Sequence, residues 1–143
     1  MDKPAHSASD NAAYRFPVSV KAVILRGDNI VLLKNERDEW ELPGGKLELG
    51  EDPIECVTRE VDEELGLKVR AERLLDLWQY HIADGVDVLI GTYLCTDLAP
   101  NLVAQLSHEH KQLRWFNVNS LEDLAMPEGY KTSIRAALRN EPT

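Results

Sequence analysis

Cysteine is scarce in this 143-residue sequence, which contains only Cys56 and Cys95. The two are too far apart to form a close-spaced metal or redox motif, so we interpret each as a buried, reduced thiol. Long apolar runs are also missing, and we therefore expect neither a signal peptide nor a segment able to span a bilayer. We therefore expect a cytoplasmic protein.

Positive charge is also in short supply, because 16 basic residues stand against 25 acidic ones and leave a net charge of −9. No basic cluster offsets this balance, which argues against nonspecific binding to a nucleic acid polymer or to an anionic membrane. If the ligand is itself an anion, such as a phosphate, a divalent cation would have to bridge two negative partners. The length suits one domain with a single apolar core.

The order of predicted elements suggests an α/β domain. Residues 1–15 are small and polar and are interpreted as a flexible N-terminal arm, which leaves residues 16–143 as a single domain. Apolar alternation and turn residues predict five strands, at Val18–Leu25, Ile30–Lys34, Lys68–Ile82, Val86–Thr96 and Lys111–Val118. Helices are predicted at Pro53–Leu65 and Pro127–Asn140, and a long turn at Glu41–Glu51. Strands on both sides of a central helix favour a layered α/β fold around a mixed sheet.

The helix at Pro53–Leu65 has clear signals at both ends. Asp52 is suited to the N-cap, Glu55 completes a capping-box pattern with it, and Gly66 supplies the stop. On a helical wheel four apolar residues form a stripe that should face the core, namely Ile54, Val57, Val61 and Leu65.

A second set of residues on this helix is acidic. Glu60, Glu63 and Glu64 fall together on a flank beside the apolar stripe, one above another at helical spacing. One interpretation is a solvated acidic face, although the like-charge pair Glu60 and Glu64 costs about 0.2–0.5 kcal/mol and does not help the helix. The other is a site for a hard cation such as Mg²⁺ or Mn²⁺, which binds carboxylate oxygens and substrate phosphates together.

The spacing of these residues resembles the signature of the Nudix hydrolases. That signature places a glycine, a glutamate, an Arg-Glu pair, a Glu-Glu pair and a final glycine at fixed intervals, with apolar residues between. Every position is matched here, by Gly45, Glu51, Arg59, Glu60, Val61, Glu63, Glu64, Gly66 and Leu67. The preceding stretch Trp40–Gly44 is also similar to the family's approach to this box, and the similar order of elements extends from Val18 to about Val118.

This resemblance implies a Nudix-type α/β/α sandwich and a pyrophosphohydrolase that depends on Mg²⁺ or Mn²⁺. The implied reaction is attack of water on phosphorus in a nucleoside diphosphate linked to another moiety, such as a nucleoside triphosphate, a nucleotide sugar or ADP-ribose. The implied metal ligands are Glu60, Glu63, Glu64, the carbonyl of Gly44, and Glu51, which could instead support the loop. Arg59 would orient the carboxylates, and one glutamate would act as general base.

A later loop offers a further carboxylate. Many members of the family use an acid from such a loop, and Glu109 in the segment Ser107–Phe116 occupies a similar place. We treat Glu109 as a second candidate for base or ligand, against the alternative of an exposed loop acid. His108 and His110 flank it, but no third ligand is nearby in the sequence, which argues against a zinc site.

The substrate is not defined by the sequence. The marks that distinguish ADP-ribose, diadenosine polyphosphate, coenzyme A and NADH subfamilies are absent; the place after the box holds Ala83, Asp84 and Gly85. Candidate substrate-binding residues are the aromatic and cationic side chains of Trp40, Tyr80, Arg37 and Arg15, with burial in the core as the alternative for the aromatics. A Nudix-fold module that senses a nucleotide without cleaving it is the alternative function. Homodimers are common in the family, so the expected partners are a small nucleotide and a second copy of the chain.

Overall fold

A computed structural model describes residues 13–139 of the chain. In chain order its strands are β1 (Val18–Arg26), β2 (Asn29–Lys34), β3 (Trp40–Glu41), β4 (Gly44–Lys46), β5 (Val69–Ala83), β6 (Val86–Asp97) and β7 (Gln112–Asn117). The helices are α1 (Pro53–Leu65) and α2 (Glu128–Leu138), with a 3₁₀ helix at Val118–Asp123. Most of the predicted arm at residues 1–15 falls outside the described residues, as does Asn140 at the predicted end of α2.

The sheet is mixed, and β1 is its central strand. The order of strands is β3-β2-β1-β6-β5, while β4 pairs with β1 and β7 pairs with β2. The pairing of β1 with β6 is parallel, from Val18 opposite Leu89 to Ile24 opposite Cys95. The other pairings are antiparallel, including the predicted hairpin of β1 and β2. The predicted mixed sheet is therefore confirmed.

Two apolar clusters lie on opposite faces of the sheet, because successive side chains of a strand point to opposite faces. Val20, Ala22 and Ile24 of β1 belong to the cluster that contains the buried residues of α1. Val23 belongs to the other cluster, which contains Tyr130 and other residues of α2. One helix therefore covers each face, which confirms the predicted α/β/α sandwich.

Helix α1 has the predicted caps. The Asp52 side chain accepts a hydrogen bond from the N–H of Ile54, Glu55 completes the capping box, and Gly66 ends the helix with its N–H bonded to the carbonyl of Asp62. The predicted apolar stripe is wrong at one end, since Ile54 is 49% exposed while Val57, Val61 and Leu65 are fully buried. Ile54 lies in the first turn, which serves to cap the helix and leaves the packing against the core to the later turns.

The long turn predicted at Glu41–Glu51 is partly wrong. The structure places two short strands around this segment, β3 ending at Glu41 and β4 at Gly44–Lys46. Strand β4 pairs with Ser19–Lys21 of β1. Strands of two or three residues have no measurable alternation, so only the tertiary pairing with β1 reveals them.

No helix within residues 13–139 combines the length and the apolar character that a bilayer crossing requires.

Candidate active site

Helix α1 places its three signature glutamates in very different environments. Glu64 is only 7% exposed, and its Oε1 accepts a hydrogen bond from the backbone N–H of Gly44 at 2.8 Å. Glu60 is half-buried, while the Glu63 side chain is 60% exposed. Burial raises the pKa of Glu64 to about 7, although nearby Lys21 and the Gly44 N–H favour its charged form. The buried carboxylate of Glu64 is thus harder to ionise than an ordinary glutamate.

The glycine loop ahead of α1 comes into close contact with these carboxylates. A Cβ added at Gly45 would overlap the carboxylate of Glu60. The loop backbone is also fixed from the helix side, because the Cys56 thiol lies 3.4 Å from the carbonyl oxygen of Lys46. A glycine at position 45 therefore leaves room for the carboxylate group, and any larger residue would displace it.

Arg59 connects the loop to the acidic face. Its Nε and Nη2 donate to the two carboxylate oxygens of Glu51, at 2.8 and 3.1 Å. Its Nη1 donates to Glu60 at 2.8 Å and to Glu63 at 3.2 Å. Glu51 also accepts from the N–H of Glu48, and together with Arg59 this holds the pKa of Glu51 at about 2. Arg59 thus contacts the carboxylates of Glu51, Glu60 and Glu63.

Glu109 reaches the same place from a distant loop. A cavity of about 120 Å³ is lined by Glu60, Glu63, Glu64, Ser107, His108 and Glu109. Within residues 13–139, no hydrogen bond or ion pair engages the Glu109 carboxylate; only its N–H is bonded, to the Ser107 hydroxyl at 3.4 Å. The structure therefore brings this sequence-predicted residue to the helix carboxylates and leaves its side chain available.

His110 and Glu41 form a second layer of residues, which lies next to the glutamates of the cavity but outside its lining. The sequence analysis did not predict this layer. His110 Nε2 lies 2.8 Å from Glu41 Oε2, and His110 Nδ1 lies 3.6 Å from Glu64 Oε2 without a hydrogen-bond partner. Asn35 donates to the other oxygen of Glu41 at 3.0 Å. Burial alone would raise the pKa of Glu41, but His110, Lys21 and Asn35 outweigh burial and lower it to about 2.

The sequence contains one signal for this layer. His108 and His110 point to different places because this segment is a turn, in which the His110 N–H is bonded to the Ser107 carbonyl. His108 lines the cavity, while the His110 side chain is only 10% exposed and is bonded to Glu41. The signal is the position of His110 directly after Glu109, which makes this histidine a candidate partner of the glutamates of α1. Its actual partner, Glu41, lies far away in sequence and is brought near by the pairing of β2 with β3 and β7.

The donor atoms suit a hard divalent cation. The carboxylates around the cavity and the nearby glycine carbonyls supply oxygen ligands alone, which Mg²⁺ and Mn²⁺ prefer. In the described part of the chain, no three acidic, histidine or cysteine side chains already converge with metal-ligand geometry. Arg59 holds Glu60 and Glu63 in their present positions. The set therefore fits such an ion in the chemistry of its donor atoms.

A larger cleft lies beyond the second layer. Its volume is about 360 Å³, within the range of small-molecule sites, and its lining includes Arg37, Glu39, Trp78, Tyr80, His81, Ile82 and the stretch Pro127–Gly129. The Trp78 and Tyr80 rings are 5.3 Å apart. A Cβ added at Gly129 would overlap the Trp78 ring, so α2 packs directly against this aromatic side chain. The cleft therefore has a rigid aromatic wall with an ion pair, Arg37–Glu39, at its side.

Two of the four predicted substrate-binding residues line this cleft, and two do not. Arg37 and Tyr80 are part of its wall. Trp40 is only 7% exposed and packs in the core against Phe116, with ring centroids 4.7 Å apart. Arg15 is exposed ahead of β1 and lines neither the cleft nor the carboxylate cavity. The buried alternative is thus the correct one for Trp40.

Comparison with known proteins adds an independent finding. Residues 15–137 match the family model described as the NUDIX domain. The chain is 33% identical over 110 residues to an uncharacterized Nudix hydrolase, YvcI, of Bacillus subtilis (strain 168), covering 74% of this chain and 70% of that one. It is 29% identical over 112 residues to an ADP-ribose pyrophosphatase of Methanocaldococcus jannaschii, covering 76% of this chain and 66% of that one.

Solved structures show the same likeness. The crystal structure of a MutT NUDIX hydrolase from Burkholderia pseudomallei superposes with a TM-score of 0.73 at 26% sequence identity. The match covers 86% of this chain and 98% of that protein. The similarity in fold therefore extends over most of the chain.

Proposed function

This chain belongs to the Nudix hydrolase family, and we propose that it cleaves the pyrophosphate bond of a small nucleoside diphosphate derivative with the aid of Mg²⁺ or Mn²⁺. It is a pyrophosphohydrolase by family, and members generally use divalent metals. One observation carries the proposal for this chain: Glu60, Glu63, Glu64 and Glu109 line one cavity although they come from two distant segments.

We assign the metal ligands to three glutamates in the second half of α1 and to the glycine loop that precedes this helix. Glu60, Glu63 and Glu64 would hold the ion with the carbonyl of Gly44, whose N–H already engages Glu64. A bound divalent ion would activate water and offset the charge on the phosphate oxygens. Arg59 would orient the carboxylates of Glu60 and Glu63 through its hydrogen bonds to them. Its bidentate contact with Glu51 would hold the glycine loop in place.

We assign the role of proton acceptor to Glu109. The other carboxylates around the cavity are engaged by donors, Glu60 and Glu63 by Arg59 and Glu64 by Gly44. Within residues 13–139 the Glu109 carboxylate has no such donor. It lines the same cavity and can accept the proton that an attacking water loses.

The larger cleft is proposed to hold the nucleoside. Trp78 and Tyr80 offer ring faces for a base, and Arg37 with Glu39 offers a donor and an acceptor at its edge. Tyr130 links the two regions, because it contacts the Trp78 ring at 5.1 Å and lies 6.0 Å from Lys21, which neighbours the Glu64 carboxylate. The substrate class is a nucleoside triphosphate, a nucleotide sugar or an ADP-ribose-like compound, the last being what the Methanocaldococcus relative is named for.

A nucleotide panel with product analysis tests this function. Nucleoside triphosphates, nucleotide sugars, ADP-ribose and dinucleotides are incubated with the protein in Mg²⁺, in Mn²⁺ and in EDTA. The expected result is metal-dependent release of a nucleoside monophosphate from one class. Tight binding of a nucleotide without turnover in either metal would instead favour a sensing module.

A further inference from the structure

Lys21 is a buried cation in the middle of the central strand. Its neighbours Val20 and Ala22 are fully buried on the α1 side of β1, and Lys21 itself is only 8% exposed on the opposite side. Burying an ammonium group is costly unless it is paired or hydrogen-bonded. A lysine at such a position therefore needs a partner.

The protein does not supply that partner directly. Among residues 13–139, the Lys21 ammonium makes no hydrogen bond and lies within 4.0 Å of no carboxylate oxygen. Its Nζ lies 6.0 Å from the centroid of the Tyr130 ring. Within residues 13–139, no acceptor is hydrogen-bonded to the three N–H donors of the ammonium.

The surrounding carboxylates favour the charge of Lys21 but do not bind it. Burial lowers the pKa of Lys21, yet Tyr130, Glu41, Glu64 and Glu60 outweigh burial and raise it above the ordinary value, so the side chain is charged at neutral pH. Each nearby carboxylate is committed to a different donor. Glu41 is bonded to His110 and Asn35, Glu64 to the Gly44 N–H, and Glu60 to Arg59.

A counter-ion role alone does not explain this arrangement. A lysine that served only to neutralise Glu41 or Glu64 would form a direct ion pair with one of them, since the chain is long and flexible. Instead the stem of Lys21 runs beside Gly44 and its ammonium lies near Tyr130, which in turn packs on Trp78 and Tyr80 of the cleft. The Lys21 side chain thus runs from Gly44, whose N–H engages Glu64, toward Tyr130, whose ring packs against Trp78 and Tyr80 of the cleft.

We propose that Lys21 is a binding residue for the diphosphate of the substrate and donates hydrogen bonds to phosphate oxygens on the nucleoside side of the scissile bond. This inference rests on the proposed function, because it assumes that the diphosphate spans the space between the cleft and the glutamates. Phosphate oxygens are anionic acceptors and satisfy a buried ammonium. The cation belongs to the protein itself and acts without a metal.

Binding of methylenediphosphonate tests the proposal without turnover and without a nucleobase. This probe replaces the bridging oxygen of a diphosphate by carbon, and its affinity is measured by calorimetry in EDTA for the wild type, Lys21→Met and Lys21→Arg. Methionine keeps the apolar stem and removes the charge. We expect Lys21→Met to weaken binding by about tenfold or more and Lys21→Arg to stay within about threefold of the wild type.

Lys68→Met is the matched control, because it removes one positive charge from an exposed lysine that pairs with Asp62. Its affinity for the probe should equal that of the wild type. Equal affinities of Lys21→Met and Lys68→Met would overturn the proposal, as would a wild type that fails to bind the probe. Hydrolysis of the nucleotide panel is a separate measurement. A lack of turnover there would count against the proposed function alone.

A measurement on the unaltered protein covers the case in which Lys21→Met does not fold. In protein labelled with ¹³C-lysine, the Cε resonance of Lys21 should shift on saturation with methylenediphosphonate, while that of exposed Lys111 should not. A Lys21 resonance that is unmoved at saturation would overturn the proposal.

Discussion

The backbone N–H of Gly44 lies 2.8 Å from Oε1 of Glu64, and this hydrogen bond joins the glycine loop to the carboxylate that α1 buries. The contact fixes the orientation of Glu64 before any ion is present. An amide oxygen can accept the same N–H, so the local structure and the metal affinity of this position can be separated by one substitution.

We expect Glu64→Gln to abolish nearly all hydrolysis and to leave the fold intact. The glutamine oxygen keeps the bond to Gly44, but a neutral amide is a poor ligand for Mg²⁺. Turnover of the best panel substrate and the thermal midpoint in EDTA measure the two effects. A rate close to that of the wild type would remove Glu64 from the proposed metal site.

We expect Glu109→Gln to lower kcat by about 10²-fold or more, as loss of a general base does, with a smaller effect on the concentration of Mg²⁺ needed. The control is Glu36→Gln, which neutralises an exposed acid in another loop. Rates are measured over a Mg²⁺ titration at saturating substrate. If both variants keep the wild-type kcat, Glu109 is only a loop acid.

We expect Arg59→Lys to raise the Mg²⁺ concentration at half-maximal rate by about tenfold, the usual cost of losing an outer partner of a metal ligand. Lysine cannot reproduce the bidentate contact with Glu51 while also reaching Glu60. The measurement is the metal dependence of the initial rate. An unchanged metal dependence would show that Arg59 does not orient the ligands.

Glu41 should make folding stability depend on pH in the acidic range. Its pKa is about 2 in the folded protein and about 4.5 when unfolded, so its contribution is complete above the unfolded value and is lost as the pH falls toward 2. Urea unfolding between pH 6 and pH 3 in EDTA should show a shallower loss of stability in Glu41→Gln than in the wild type. Parallel curves would exclude this contribution.

Both thiols should be inert in the folded protein. Cys56 and Cys95 are at most 4% exposed, and burial raises the pKa of each to about 12, so almost no thiolate exists at pH 8. A colorimetric disulfide reagent should titrate neither thiol until guanidinium is added, and both afterwards. Reaction of one thiol in the native state would indicate local opening around it.

Much of the fold follows from local patterns in the sequence. The caps of α1 depend on residues within a few positions of one another, and the long strand β5 shows its alternation over many residues. Strands β3 and β4 are too short to carry such a pattern and exist because β2 and β1 offer partners. Ile54 likewise has the right spacing for the stripe, but its place in the capping turn exposes it.

The candidate site likewise contains some residues whose proximity follows from local spacing and others whose proximity depends on the tertiary fold. The glutamates of α1 and Arg59 have fixed helical spacing, so their mutual proximity is predictable. Lys21 and His110 act through contacts between distant elements, and no spacing along the chain predicts that Lys21 lies near Tyr130. Trp40 shows the limit of residue type as a guide, since the same aromatic side chain can line a cleft or fill a core.

The parallel pairing of β1 with β6 has a consequence for biosynthesis. Val18 meets Leu89, so the strand that bears Lys21 and holds the glycine loop lacks one of its neighbours until β6 has left the ribosome. Pairings this remote along the chain slow folding, because a large loop must close before they contribute stability. A nascent fragment ending before β6 would carry every signature glutamate and still lack the scaffold that aligns them.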